Sequence, residues 1–158
     1  MRKVFWMLIL TALLPGGAVG LVQGAGQADH VIVTPSDLKW ADAPPALPPG
    51  AKMVWIEGAA PNAAPFTFRV KVPANYRIGP HWHPGIEHVS VLSGSFSIGM
   101  GEKFDAGKLK PLSAGSFVVM PPKTPHFVLV KEETIIQVHG VGPWALNYVN
   151  PEDDPRKK

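Results

Sequence analysis

The sequence predicts an all-β fold, a sandwich or barrel of many short strands. Runs rich in Val, Ile, Phe and Trp recur along the chain, and several alternate apolar with polar side chains. Between them fall prolines and glycines, eighteen and sixteen in all, which punctuate the chain as turn formers. No stretch carries the apolar period of an amphipathic helix of ordinary length. Short strands at regular spacing imply a sandwich or a closed barrel.

The elements follow in chain order. The 158 residues suit one domain with a real core. The opening "MRKVFWMLILTALLPGGAVGLVQGAGQADH" has a basic start at Arg2 and Lys3, an uncharged run from Val4 to Leu14, and small residues up to about Ala28. This is the order of a secretory signal, assigned to residues 1–28, and it predicts a periplasmic or secreted protein. Its apolar run stops at Pro15-Gly16-Gly17, short of the roughly 20 residues a membrane span needs. Counted on to Val22, it would instead serve as an uncleaved anchor. Residues 29–50 end in "ADAPPALPPG", a proline-rich segment expected to run over a surface. Strands are expected at "KMVWIEG", "FTFRVKV", "PHWH", "EHVSVL", "SFSIGM", "GSFVVM", "HFVLV", "TIIQVHG" and "WALNYV", within a barrel domain at residues 51–150. Phe66, Phe68, Val70 and Val72 share one face, as do Phe96, Ile98 and Met100. "LSGS" and "VKEET" read as tight turns. Residues 151–158 read as a charged, mobile tail.

Composition excludes several function classes. The net charge of +3 falls to about +1 once Arg2 and Lys3 leave with the signal, and no basic stripe is interleaved with aromatics, so nucleic acid is not a partner. There is no cysteine, hence no disulfide, no thiol nucleophile and no thiolate ligand. Any metal must sit on nitrogen and oxygen. After signal cleavage no stable membrane span remains.

The densest chemistry lies in "HWHPGIEHVSVLSG", residues 81–94. On a helix His81 and His83 would stand about 200° apart, and Pro80, Pro84 and Gly85 would break it. On a strand, residues two apart face the same way, so His81 and His83 point together and Trp82 points away. A new strand begins at Glu87. If Glu87 faces inward with Val89 and Val91, His88 faces outward with Ser90. If these groups hold a metal, a further ligand should come from a distant strand, and the candidate is His126, whose neighbours Val128 and Val130 would share its face and whose approach would be stiffened by Pro121, Pro122 and Pro125.

These residues give the chain a resemblance to the cupin superfamily. The first cupin motif is matched by His81-x-His83, three residues, Glu87, six residues and Gly94; the second by Gly115, five residues, Pro121 and then His126. The chain departs from the motifs at Asn75 and Lys123, where glycines are expected, and at Val130, where asparagine is. None of these is a ligand position; the two glycine changes fall on turns. The resemblance covers roughly residues 50–150. It implies a double-stranded β-helix, or jelly-roll, barrel in which His81, His83, Glu87 and His126 hold a divalent transition metal: Mn, Fe, Co, Ni, Cu or Zn. Open positions on such an ion would serve a small-molecule substrate or ligand.

Strand parity yields further candidates. His139 and Gln137 share a face that lines the barrel or looks outward. Tyr148 either reaches the pocket as a proton donor or packs on the exterior. Trp82 is expected to pack against Trp40 or Trp55. Lys123 is expected at the barrel mouth, and His30 and His88 in solvent. The resemblance implies a metal-dependent enzyme of dioxygenase, isomerase or lyase type acting on a small polar molecule, or else a non-catalytic periplasmic binder or sensor. Cupins often pair barrel edges, so a homodimer is also compatible with it.

Overall fold

The computed structural model describes residues 30–158; the signal expected over residues 1–28 lies outside them. Among the described residues there are eleven strands: β1 (Ala41–Asp42), β2 (Lys52–Glu57), β3 (Pro65–Val72), β4 (Arg77–Trp82), β5 (Glu87–Ser93), β6 (Ser95–Met100), β7 (Lys110–Ser113), β8 (Phe117–Met120), β9 (His126–Val130), β10 (Thr134–Val141) and β11 (Asn147–Tyr148). Helical structure among the described residues is confined to single 3-10 turns, and none of their helices is long and apolar enough to cross a membrane.

The strands form one six-stranded sheet, β1-β2-β3-β10-β5-β8, and one five-stranded sheet, β11-β4-β9-β6-β7. Pairing is nested: β3 with β10, β4 with β9, β5 with β8 and β6 with β7, all antiparallel. The chain is thus one long hairpin, closed at β6–β7 and coiled so that β3, β4, β5 and β6 fall on alternate sheets. That is the jelly-roll barrel the cupin resemblance implies.

Alternation in sequence becomes alternation in burial. Phe66, Phe68, Val70 and Val72 of β3 are all buried, with the residues between them half-exposed. Val89 and Val91 of β5, Val128 and Val130 of β9, and Ile136 and Val138 of β10 complete a core between the two sheets. The β5–β6 turn depends on Gly94, whose φ is +77° and where an added Cβ would stand 2.4 Å from the Glu133 carbonyl oxygen.

Two turns carry side chains where the cupin motifs have glycine, yet keep the backbone of glycine. Asn75 has φ of 61° and Lys123 of 59°, the only non-glycine residues with positive φ among those described. Asparagine adopts this region readily and lysine does not. The Lys123 amide bonds the His83 carbonyl at 2.8 Å, which ties the turn to the putting-in-place of His83.

The two ends of the described chain are built into the barrel. The proline-rich segment is docked by Tyr76 Oη, which donates to the Pro48 carbonyl at 2.6 Å, and by Tyr148 Oη, which donates to the Ala46 carbonyl at 2.9 Å. Trp40 lies under the Lys71 ammonium, 5.2 Å from ring centre to Nζ. The tail corrects an expectation. Residues 151–158 form two 3-10 turns, at Pro151–Asp153 and Pro155–Lys157, rather than a mobile end. Asp154 is buried and gripped by Arg156 through two 2.8 Å bonds. Asp153 packs on Gly79, where a Cβ would come within 2.9 Å of its side chain.

Candidate metal centre

A bulge in β4 aims the first histidine. Ile78 pairs with Val128, but His81 pairs with His126, so β4 carries one extra residue between them. Without it Ile78 and His81, three apart, would face opposite sides of the sheet. With it both line the interior cavity. His83 follows just beyond the strand on the same side, and His126 opens β9. Glu87 arrives from the other sheet, heading the inward row Glu87, Val89, Val91 of β5. Three imidazoles from one sheet therefore meet a carboxylate from the facing one.

All four groups are buried. The rings of His81 and His126 are 4.2 Å apart, those of His81 and His83 5.1 Å, and those of His83 and His126 5.2 Å. One nitrogen from each ring lies within 4.8 Å of the other two. Glu87 Oε2 is 3.3 Å from His83 Nε2 and 3.7 Å from His126 Nε2.

The hydrogen bonds settle the tautomers. Nδ1 of His81 bonds the Gly79 carbonyl at 2.8 Å, that of His83 the Ala145 carbonyl at 2.9 Å, and that of His126 the Thr124 carbonyl at 3.0 Å. A carbonyl only accepts, so each Nδ1 carries the proton and each Nε2 of a neutral ring offers a lone pair. Burial, with His126 and His83 adding to it, holds His81 well below its ordinary 6.5. Burial also lowers His126, against the opposing pull of Glu87. His83 Nε2 is buried without a hydrogen-bond partner. Lone pairs of neutral imidazoles converging on a carboxylate repel one another unless a cation lies among them. Ligands about 2.1 Å from one ion stand roughly 3.0–3.4 Å apart, close to the Glu87 contacts seen. The donor set fits a divalent metal.

The other candidates are placed differently. On β10 the buried row is Thr134, Ile136 and Val138; Gln137 and His139 take the outer face. Gln137 accepts from Arg69 Nε at 3.0 Å, and His139 stacks on the ring of His88 at 4.7 Å. Neither can serve the cavity, which removes them as catalytic candidates. His88 is outward, as parity requires, but half-buried in this stack rather than free in solvent. Tyr148 sits opposite His81 in the sheet, with its ring 6.1 Å away, and its hydroxyl is spent on Ala46. Trp82 does point away from the ligands. It lies beside Tyr148, Val149, Lys123, Pro125 and Glu102, while Trp55 packs edge-on against Phe68 at 5.1 Å. Lys123 and His30 are exposed.

Sequence reasoning missed Trp144, which stacks on His83 at 4.4 Å and 15° and so fixes its ring plane. The only signal was an aromatic residue after "GVGP". The four polar groups end a cavity of about 310 Å³ that runs into the barrel and is walled in part by Pro44, Ala46 and Leu47 of the proline-rich segment.

A jelly-roll barrel with this His and Glu grouping at one end of its interior defines the cupin class. Within it, the sequence profile of the ChrR cupin-like domain matches residues 28–145, and the chain belongs to that family. Solved structures of the same fold include the polyketide cyclase RemF from Streptomyces resistomycificus, at 18% identity and TM-score 0.63, with 80% of this chain and 89% of that one covered. A protein of Methylibium petroleiphilum PM1 proposed to be an acetylacetone dioxygenase gives 16% identity and TM-score 0.63, over 83% and 88%. KdgF from Halomonas sp. gives 20% identity and TM-score 0.55, over 73% and 96%. No curated protein matches the chain.

Proposed function

We propose that this chain is a metal-dependent cupin enzyme in which His81, His83, His126 and Glu87 hold one divalent ion at the inner end of the barrel cavity. The carrying observation is the convergence of three imidazoles, each with its Nδ1 proton engaged by a main-chain carbonyl, two of which bring Nε2 within 3.7 Å of Glu87. When bound, such an ion supplies Lewis-acid polarisation of a substrate oxygen or a centre for one-electron chemistry. The chain's own contribution is to orient: Trp144 holds His83, the β4 bulge holds His81, and the segment around Leu47 shields the cavity from water. Among structures of the same fold, one is named as a polyketide cyclase and one as a proposed dioxygenase, so the scaffold is compatible with this chemistry.

A second reading, a non-catalytic binder or sensor, is favoured by one observation. With Gln137 and His139 outside and the Tyr148 hydroxyl occupied, the described cavity offers no general base apart from the ligands. Reconstitution with Mn, Fe, Co, Ni, Cu and Zn, with and without oxygen, followed by oxygen uptake and substrate-panel turnover, separates the two. Turnover with at least one metal is expected. Tight ligand binding with no turnover under any metal would support the second reading. We further propose export to the periplasm or beyond, on the strength of Arg2, Lys3 and the Val4–Leu14 run. Mass measurement of the protein from its own cells should show a mature start near residue 29, and a full-length chain would contradict it.

A further inference from the structure

Away from the four ligand groups, the cavity wall is mostly hydrocarbon. Its sides are the inward residues Phe68, Val70, Val89, Val128, Ile136 and Val138, drawn from both sheets. Apart from the three imidazoles and Glu87, the only ionisable side chains on the wall among the described residues are Tyr76 and Arg156. Both are committed. Tyr76 Oη donates to the Pro48 carbonyl, and Arg156 is clasped by the buried Asp154. A guest carrying charge or several hydroxyls would shed its water there and find few partners beyond the metal end, chiefly the unpartnered Nε1–H of Trp144, which stacks on His83.

We propose that the ligand of this site is amphipathic: one oxygen-donor head, directed at the histidine and glutamate end, and an uncharged apolar body seated among the valines and Phe68. This rests on the metal-centre reading and narrows it. It also replaces the small polar molecule expected from the sequence. The volume of about 310 Å³ lies at the small end of ligand cavities and suits a body of single-ring size. The fold explains the asymmetry. Polar residues enter the interior where strands begin, at Glu87, His126 and Thr134, or at the β4 bulge and just beyond it, whereas the inward positions that follow are mostly β-branched or aromatic.

The test uses three chelators that share a hydroxamate head and differ only in body. Full-length mature protein loaded with Co(II) is titrated with benzohydroxamate, acetohydroxamate and glycine hydroxamate, followed by the visible ligand-field bands. Each affinity is referred to the same compound's affinity for aqueous Co(II). Benzohydroxamate should bind at least about tenfold tighter than acetohydroxamate, the gain expected from burying a ring, with the charged glycine hydroxamate weakest. Val138→Phe, which fills the mid-cavity, should weaken benzohydroxamate about tenfold and leave acetohydroxamate within about twofold. The unmodified protein carries the decisive comparison, so a poorly folded variant does not blunt it. Equal affinities, a reversed order, or bound Co(II) that no hydroxamate perturbs would overturn the proposal. Absence of protein-bound Co(II) bands before any chelator is added would instead defeat the metal-centre reading.

Discussion

Each inward imidazole donates its Nδ1 proton to a main-chain carbonyl, and in the metal-free protein that arrangement is vulnerable to acid. His81 and His126 are held below 6.5, first by burial, so as pH falls the unfolded chain takes up protons before the folded one does. The stability they contribute is whole above about pH 6.5 and is lost as pH falls through that value and on toward the folded ones. Urea midpoints of metal-free protein should therefore drop from about pH 7 to about pH 5, and His126→Ala should flatten the drop. A midpoint independent of pH would mean that these rings are not buried neutral. Lys123 offers a test in the opposite direction. Its φ of 59° costs a lysine about 1 kcal/mol that glycine avoids, so Lys123→Gly should raise stability by about 0.5–1 kcal/mol in urea denaturation. At this scale strand parity sorted His81, His83 and Glu87 from Trp82 and His88 correctly. It could not choose a face for β10, because parity defines two sets without saying which is buried. The uninterrupted Thr134, Ile136 and Val138 set, fully buried at Thr134, is what turns Gln137 and His139 outward.

Among the elements, β4 and the β5–β6 turn set the geometry of the site. The bulge between Ile78 and His81 had no legible signal, since alternation written from Pro80 onward simply begins after it. Most other strands were readable, because β-branched and aromatic runs fall between prolines and glycines that cannot continue them; the two-residue β1 and the proline-bearing β7 carry no such run and were not expected, and of "WALNYV" only Asn147–Tyr148 is strand. Gly94 was readable as a motif residue, and the structure supplies its reason: positive φ and a close approach to the backbone at Glu133 and Thr134. Gly94→Ala should therefore destabilise by about 2 kcal/mol or more, combining left-handed strain with a backbone clash. Thermal unfolding checks this, and a change within about 0.5 kcal/mol would show that the turn relaxes freely.

For the whole molecule, the ends of the described chain matter more than their composition suggests. Proline-rich and highly charged stretches are normally read as linker and tail, because nothing in composition reveals a docking partner. Here Tyr76 and Tyr148 anchor one stretch over the cavity, and Asp153 against Gly79 of β4, with Arg156 reaching the Leu146 carbonyl, anchors the other. Arg156→Ala would leave the Asp154 carboxylate without its side-chain partner and should lower the urea midpoint, whereas an unchanged midpoint would show that the pair does not anchor the end. The closed barrel, the inward row on each strand and the two anchored ends all converge on the cavity that ends at His81, His83, Glu87 and His126. Metal content per chain, measured after reconstitution and gel filtration, tests that centre most directly. The account predicts about one ion in the unmodified protein and in His88→Ala, and almost none in His126→Ala. No ion in the unmodified protein, or equal losses in the two variants, would contradict it.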